Sequence, residues 1–122
     1  MKIIFVVGLP GSGKTYFAKS LGGVLADDPQ GLDDFPKGKV DLLVIADPML
    51  CVLKTREEGE KVLRGMYGDF EKEYVFFEND PEQCLLNSKR RIGKPVEDSI
   101  YWLTKMYHIP EGVIPIKCWQ GN

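Results

Sequence analysis

The stretch from Val6 to Thr15, "VVGLPGSGKT", decides how the rest of the chain is read. From Gly8 to Thr15 it meets the pattern G-x-x-x-x-G-K-[ST] at every fixed position. Glycines in such a loop let successive backbone N–H groups face an anion, and the helix that follows presents the positive end of its dipole. Lys14 can reach the outer phosphates of a nucleotide, and the Thr15 hydroxyl can ligate Mg²⁺. Gly8, Pro10, Gly11, Ser12, Gly13, Lys14 and Thr15 are therefore the candidate nucleotide-binding residues, with Lys14 also a candidate for catalysis.

The flanks supply the context that this loop requires. Lys2 to Val7 is a continuous apolar run with β-branched residues, the pattern of a strand buried on both faces. From Lys14 the residues Tyr16, Phe17, Ala18 and Leu21 recur at helical spacing until Gly22-Gly23. Further strands are expected at Val24 to Ala26, Asp41 to Asp47, Tyr74 to Phe77 and Val113 to Lys117, with a Gly/Pro/Asp-rich loop from Pro29 to Lys39. Thr55-Arg56-Glu57-Glu58 has the form of a capping box, opening a helix that ends near Gly68. Pro81 opens a helix that carries Lys89, Arg90 and Arg91 at its C-terminal end, and Pro95 opens another through Val96, Ile100, Leu103 and Tyr107. Strands separated by helices predict a doubly wound α/β domain with a mainly parallel sheet, whose ligands sit at the C-terminal ends of the strands. Gly8, Asp27, Asp47 and Asn79 all follow strand ends and should share that edge.

Composition narrows the function classes. The 122 residues suit one domain spanning 1–122, and 43% hydrophobic with 28% charged residues is an ordinary globular balance. No apolar run approaches the ~20 residues of a membrane span, and Gly8 and Pro10 cut the first run short of a signal-peptide core. A net charge of −2 disfavours broad adhesion to nucleic acid, which needs many Lys and Arg contacts to phosphate. Cys51, Cys84 and Cys118 are odd in number and flanked by apolar residues, which predicts buried free thiols and suits a cytoplasmic protein. With His108 as its single histidine, the chain is poorly equipped for a zinc site or a Ser/His/Asp triad.

The remaining candidates are carboxylates and arginines. Asp47, after a buried strand, occupies the type of position where a carboxylate holds Mg²⁺ directly or through water. Asp27, with Asp28 beside it, could take a proton from an attacking hydroxyl; Asp33 and Asp34 are weaker candidates. Arg90 and Arg91, in a basic cluster with Lys89 and Lys94, could stabilise charge on a transferring phosphoryl group. Tyr101, Trp102, Tyr107 and Trp119 lack an interleaved basic stripe and are expected in the core or docking helices.

The order GLPGSGKT, Asp27-Asp28, "NSKRRIGKPVEDSIYWLTKMY" at Asn87 to Tyr107 and a terminal strand resembles the kinase domain of bacteriophage-type polynucleotide kinases. It is similar also to small phage P-loop ATP-binding proteins. The resemblance implies a P-loop NTPase fold with a five-stranded sheet of order 2-3-1-4-5. It implies that Asp27 matches the base that deprotonates an acceptor hydroxyl and that Arg90 matches an ATP-contacting lid arginine. Leu86 stands where a second lid arginine is expected, and the acceptor-site arginine is replaced around Gln30. The expectation is a Mg²⁺-ATP-dependent phosphotransferase acting on a hydroxyl of a nucleic-acid end or nucleotide-like acceptor. The alternatives are an ATP-binding regulatory protein and an ATPase subunit completed by a partner chain.

Overall fold

The computed structural model describes residues 1–89 and 97–120. Four strands, β1 (Lys2–Val7), β2 (Val24–Asp27), β3 (Leu42–Ala46) and β4 (Glu71–Phe76), form one parallel sheet in the order β2-β3-β1-β4. The central position of β1 explains its uninterrupted apolar sequence: Ile3, Phe5 and Val7 pack into one layer, Ile4 and Val6 into the other. The first layer joins Leu43, Ile45, Leu63, Ile100 and Leu103, and so takes in helices α2 (Leu53–Tyr67) and α4 (Glu97–Met106). The second joins Val44, Ala46 and Phe77 to Ala18 of helix α1 (Lys14–Ser20). The sheet is thus covered on both faces, as an α/β protein requires. Helix α3 (Pro81–Lys89) follows β4 and packs against α4.

The expected fifth strand is not a full sheet member. Ile116 makes a single parallel bridge to Phe77, donating its N–H to Phe76 O at 2.8 Å and accepting from Glu78 N at 2.8 Å. Pro115 has no N–H for a ladder, and Ile114 beside it is 92% exposed, so the pairing stops at one residue. The sheet therefore has four strands in the order 2-3-1-4, with this segment attached beyond β4, instead of five in the order 2-3-1-4-5.

The element boundaries that differ most from expectation are the starts of α2 and β4. Helix α2 starts at Leu53, two residues before Thr55, with Val52 at its N-cap and no side-chain cap, so the Thr55–Glu58 pattern lies inside the helix. Val52 is held instead by an antiparallel bridge to Tyr107, which falls just outside α4. Strand β4 starts at Glu71, before its apolar part, because its charged half faces outward: Lys72 bonds Glu60 of α2 at 2.8 Å. Among the described residues no helix is long and apolar enough to cross a membrane.

Candidate functional site

The segment from Gly8 to Gly13 joins the end of β1 to the start of α1. Gly11 and Gly13 have φ of 85° and 97°, in the left-handed region that side chains disfavour. Space excludes a side chain at both: a Cβ on Gly11 would lie 2.7 Å from Cys84 O, and one on Gly13 would lie 2.8 Å from Trp119 Cβ. The loop is thus pressed between α3 and the C-terminal segment. Ser12 N–H donates to Leu9 O at 3.1 Å, and Ser12 O accepts from Trp119 N at 2.9 Å. The Asn87 amide, on α3, donates to Gly11 O at 2.9 Å and to Trp119 O at 2.7 Å. Lys14 is 7% exposed, with Nζ 3.4 Å from Leu9 O, so its charge sits at the base of the loop and out of bulk water. A buried ammonium favours an anion beside it.

The parallel sheet brings the strand ends to one edge, as expected. Thr15, in the first turn of α1, donates its hydroxyl to both carboxylate oxygens of Asp27 at the end of β2, at 3.2 and 3.4 Å. Asp28 follows at φ 48°, the one non-glycine residue with positive φ among those described. Its backbone is fixed by N–H donation to Ala46 O at 2.7 Å and by acceptance from Gln30 Nε2 at 2.9 Å. Asp47 caps the short 3₁₀ turn Pro48–Cys51, accepting Met49 N–H at 2.9 Å. Burial pushes the Asp47 carboxyl above the ordinary aspartate value; the Met49 N–H opposes this, Asp28 and Asp27 add to it, and Lys14 counteracts it. Asn79, at the end of the fourth strand, donates to Thr104 O at 3.0 Å and so ties that end to α4.

Beside the loop lies a cavity of about 780 Å³ lined by Gly13, Lys14, Thr15, Asp27, Asp28 and Trp102. Trp119 and Asn87 complete its wall next to the loop. A second, apolar cavity of about 180 Å³ sits between β1, β3 and α2, and Asp47 lines that one. Thr15 and Asp27 therefore meet, whereas Asp47 turns toward its own backbone cap and the smaller cavity. Asp34 accepts Gln30 N–H at 2.7 Å and Asp33 pairs with Lys37 on the surface at 3.9 Å; neither lines the larger cavity. Arg90, Arg91 and Lys94 lie outside the described residues, as does the expected helix start at Pro95.

Trp102 and Trp119, expected in the core or in helix docking, are instead 50% and 46% exposed on the cavity wall. Helical spacing identifies a face of α4 but not what the face meets. Trp119 was within reach of inference, since it follows the last expected strand and so belongs at the ligand-binding edge. The three cysteines are free and buried as expected, with Cys84 Sγ and Cys118 Sγ 3.8 Å apart. His108 is structural: its carbonyl and Nδ1 both accept from Arg56.

These features define an α/β protein with a parallel sheet and a large cavity at the C-terminal edge of its strands. The chain belongs to the same family as the uncharacterized protein R277 of Acanthamoeba polyphaga mimivirus, to which it is 33% identical over 102 residues, covering 74% of this chain and 72% of the relative. No protein-family profile matches the chain.

Proposed function

We propose that this chain is a P-loop phosphotransferase that takes the γ-phosphate of Mg²⁺-ATP to a hydroxyl of a nucleic-acid end or nucleotide-like acceptor. The observation that carries the proposal is the shared cavity: the Gly8–Thr15 loop opens into the same space that Asp27 and Asp28 line from the neighbouring strand end. A phosphate chain on the loop and a hydroxyl at Asp27 would meet there without rearrangement of the sheet.

The division of roles follows from placement. The loop amides and Lys14 bind the phosphates and balance their charge. The oxygen donors on this edge, the Thr15 hydroxyl and the carboxylates of Asp27 and Asp47, suit Mg²⁺, which takes one or two carboxylates together with phosphate and water. Thr15 would hold it directly and Asp47, in electrostatic reach of Lys14, Asp27 and Asp28, through a water; when bound it would supply charge neutralisation at the phosphates. Asp27 orients the acceptor hydroxyl and takes its proton. Arg90 and Arg91, in the basic cluster after α3, are assigned to stabilising the phosphoryl oxygens.

A second class of function is favoured by one observation. Leu86, at the position of an expected lid arginine, is 52% exposed on α3, and Gln30, near that of the acceptor-site arginine, is turned back onto Asp28 O. An ATP-binding regulatory protein, or an ATPase subunit that borrows an arginine from a partner chain, would tolerate both losses. Labelled ATP offered with 5′-hydroxyl oligonucleotides, nucleosides and water as acceptors separates the classes. Transfer to an oligonucleotide or nucleoside supports the phosphotransferase, and Mg²⁺-ATP binding without transfer supports the regulatory protein. No binding overturns both.

A further inference from the structure

Asn87 is 4% exposed and uses its whole amide. Its Nδ2 donates to Gly11 O at 2.9 Å and Trp119 O at 2.7 Å, while its Oδ1 accepts from Gln83 Nε2 at 3.0 Å. One side chain therefore fastens three segments far apart in the chain: the loop after β1, helix α3 and the residues after Ile116. Trp119, held in this way, returns its own N–H to Ser12 O at 2.9 Å.

These contacts fix the direction of the loop amides. In a planar trans peptide the C=O of one residue and the N–H of the next point to opposite sides. With Gly11 O held by Asn87, the Ser12 N–H turns the other way, where it meets Leu9 O at 3.1 Å. With Ser12 O held by Trp119 N, the Gly13 N–H points away from the C-terminal backbone. Among the described residues no acceptor takes the Gly13 N–H, although Gly13 lines the large cavity. An unpaired amide held in one direction is what an anion needs, since it pays no reorganisation cost on binding.

We infer that Asn87 is a positioning residue for phosphate: through Gly11 O and through Trp119 it presets the loop amides that receive the anion. The inference rests on the proposed nucleotide site and adds to it a residue whose amide is fully engaged by the protein. Replacing Asn87 by Ala leaves two carbonyls without their donors and frees both peptide planes, so the loss falls on the phosphates and not on the base.

The test compares Mg²⁺-ATP and Mg²⁺-tripolyphosphate binding by calorimetry in wild type, Asn87→Ala and Gln83→Leu. Leu63→Ala serves as a control for destabilisation alone, since Leu63 is a core residue of α2 away from the loop. Asn87→Ala should weaken both ligands by a similar factor, about 10- to 100-fold. Gln83→Leu keeps both donated bonds and loses only the one that orients the amide, so it should weaken both ligands by about 2- to 10-fold and serves alone if Asn87→Ala does not fold. Leu63→Ala should lower the melting temperature and leave both affinities unchanged. Affinities unchanged in the Asn87 and Gln83 variants, with only the melting temperature lowered, would overturn the inference. So would a loss confined to ATP, which would place the role of Asn87 at the base. Wild-type protein that binds neither ligand would overturn the nucleotide site itself, and the positioning role with it.

Discussion

The Thr15 hydroxyl and the Asp27 carboxylate are joined across the sheet edge, at 3.2 and 3.4 Å, so the first turn of α1 and the end of β2 meet in one hydrogen-bonded pair. Both oxygen atoms of Asp27 are within reach of one donor, which leaves lone pairs on each for an acceptor hydroxyl. Asp27→Asn keeps the shape and a carbonyl acceptor for Thr15 but removes the proton acceptor. It should leave Mg²⁺-ATP affinity nearly unchanged and reduce phosphoryl transfer by roughly 10² to 10⁴. Single-turnover transfer at the wild-type rate would reduce Asp27 to a partner of Thr15.

Lys14 tests the loop itself. Its ammonium lies 3.4 Å from Leu9 O beside the large cavity, where a bound phosphate would give it a charge-assisted contact. Lys14→Ala should weaken Mg²⁺-ATP binding by about 10- to 150-fold, the equivalent of ~1.5 to 3 kcal/mol. Equal calorimetric affinities for the two proteins would refute phosphate binding at this loop.

What the sequence made legible was local. The apolar run Lys2–Val7, the glycine loop and the start of α1 are contiguous, and alternating strands and helices suffice to put Asp27 on the edge of the loop, whereas its pairing with Thr15 depends on a strand order that only the resemblance implies. The failures have a common physical origin in contacts between distant residues. Asn87 and Gly11 are 76 positions apart, and no periodicity in α3 marks Asn87 as a clamp. Trp102 falls on a helix face that reads as ordinary docking surface but meets a cavity. The Thr55–Glu58 pattern satisfied the local rule for a helix start, yet the bridge between Val52 and Tyr107 fixed the chain earlier. Pro115 could have shortened the last strand on sequence grounds, since it removes a ladder donor.

Arg56 illustrates how a charged residue in a helix becomes part of the core. It is buried, donates to Leu50 O at 3.1 Å and to His108 O and Nδ1 at 2.8 and 2.9 Å, and lies 5.0 Å from the centre of the Phe76 ring. It joins α2, the turn after β3 and the residues after α4, without lining the large cavity. Arg56→Met would fill similar space and strand two carbonyls, at a cost of about 2 to 4 kcal/mol. Urea denaturation should register that loss while Mg²⁺-ATP affinity stays constant. A stability change below about 0.5 kcal/mol, the usual range for an exposed substitution, would show that water replaces the guanidinium at those carbonyls.

Asp47 should set stability and binding against each other. Burial raises its carboxyl above the ordinary value of 3.8, with the Met49 N–H opposing, so the ionised form costs more in the folded chain than in the unfolded one. For a raised acid the penalty is fully present at pH above the folded value and disappears as pH falls through the ordinary one. An asparagine side chain at this position carries no such penalty, and its amide oxygen can still accept the Met49 N–H. Asp47→Asn should therefore melt higher than wild type at pH 7, with the difference shrinking as pH is lowered toward 4. The same substitution removes a carboxylate assigned to Mg²⁺ and should weaken metal-dependent ATP binding, the trade between stability and function expected where a charge is kept at a site against its own solvation. Thermal melts at pH 7 and pH 4, with calorimetry in the presence and absence of Mg²⁺, give the four values needed. A lower melting temperature for Asp47→Asn at pH 7 would mean that the carboxylate serves as a structural cap, and an unaltered Mg²⁺ dependence would remove it from the metal site.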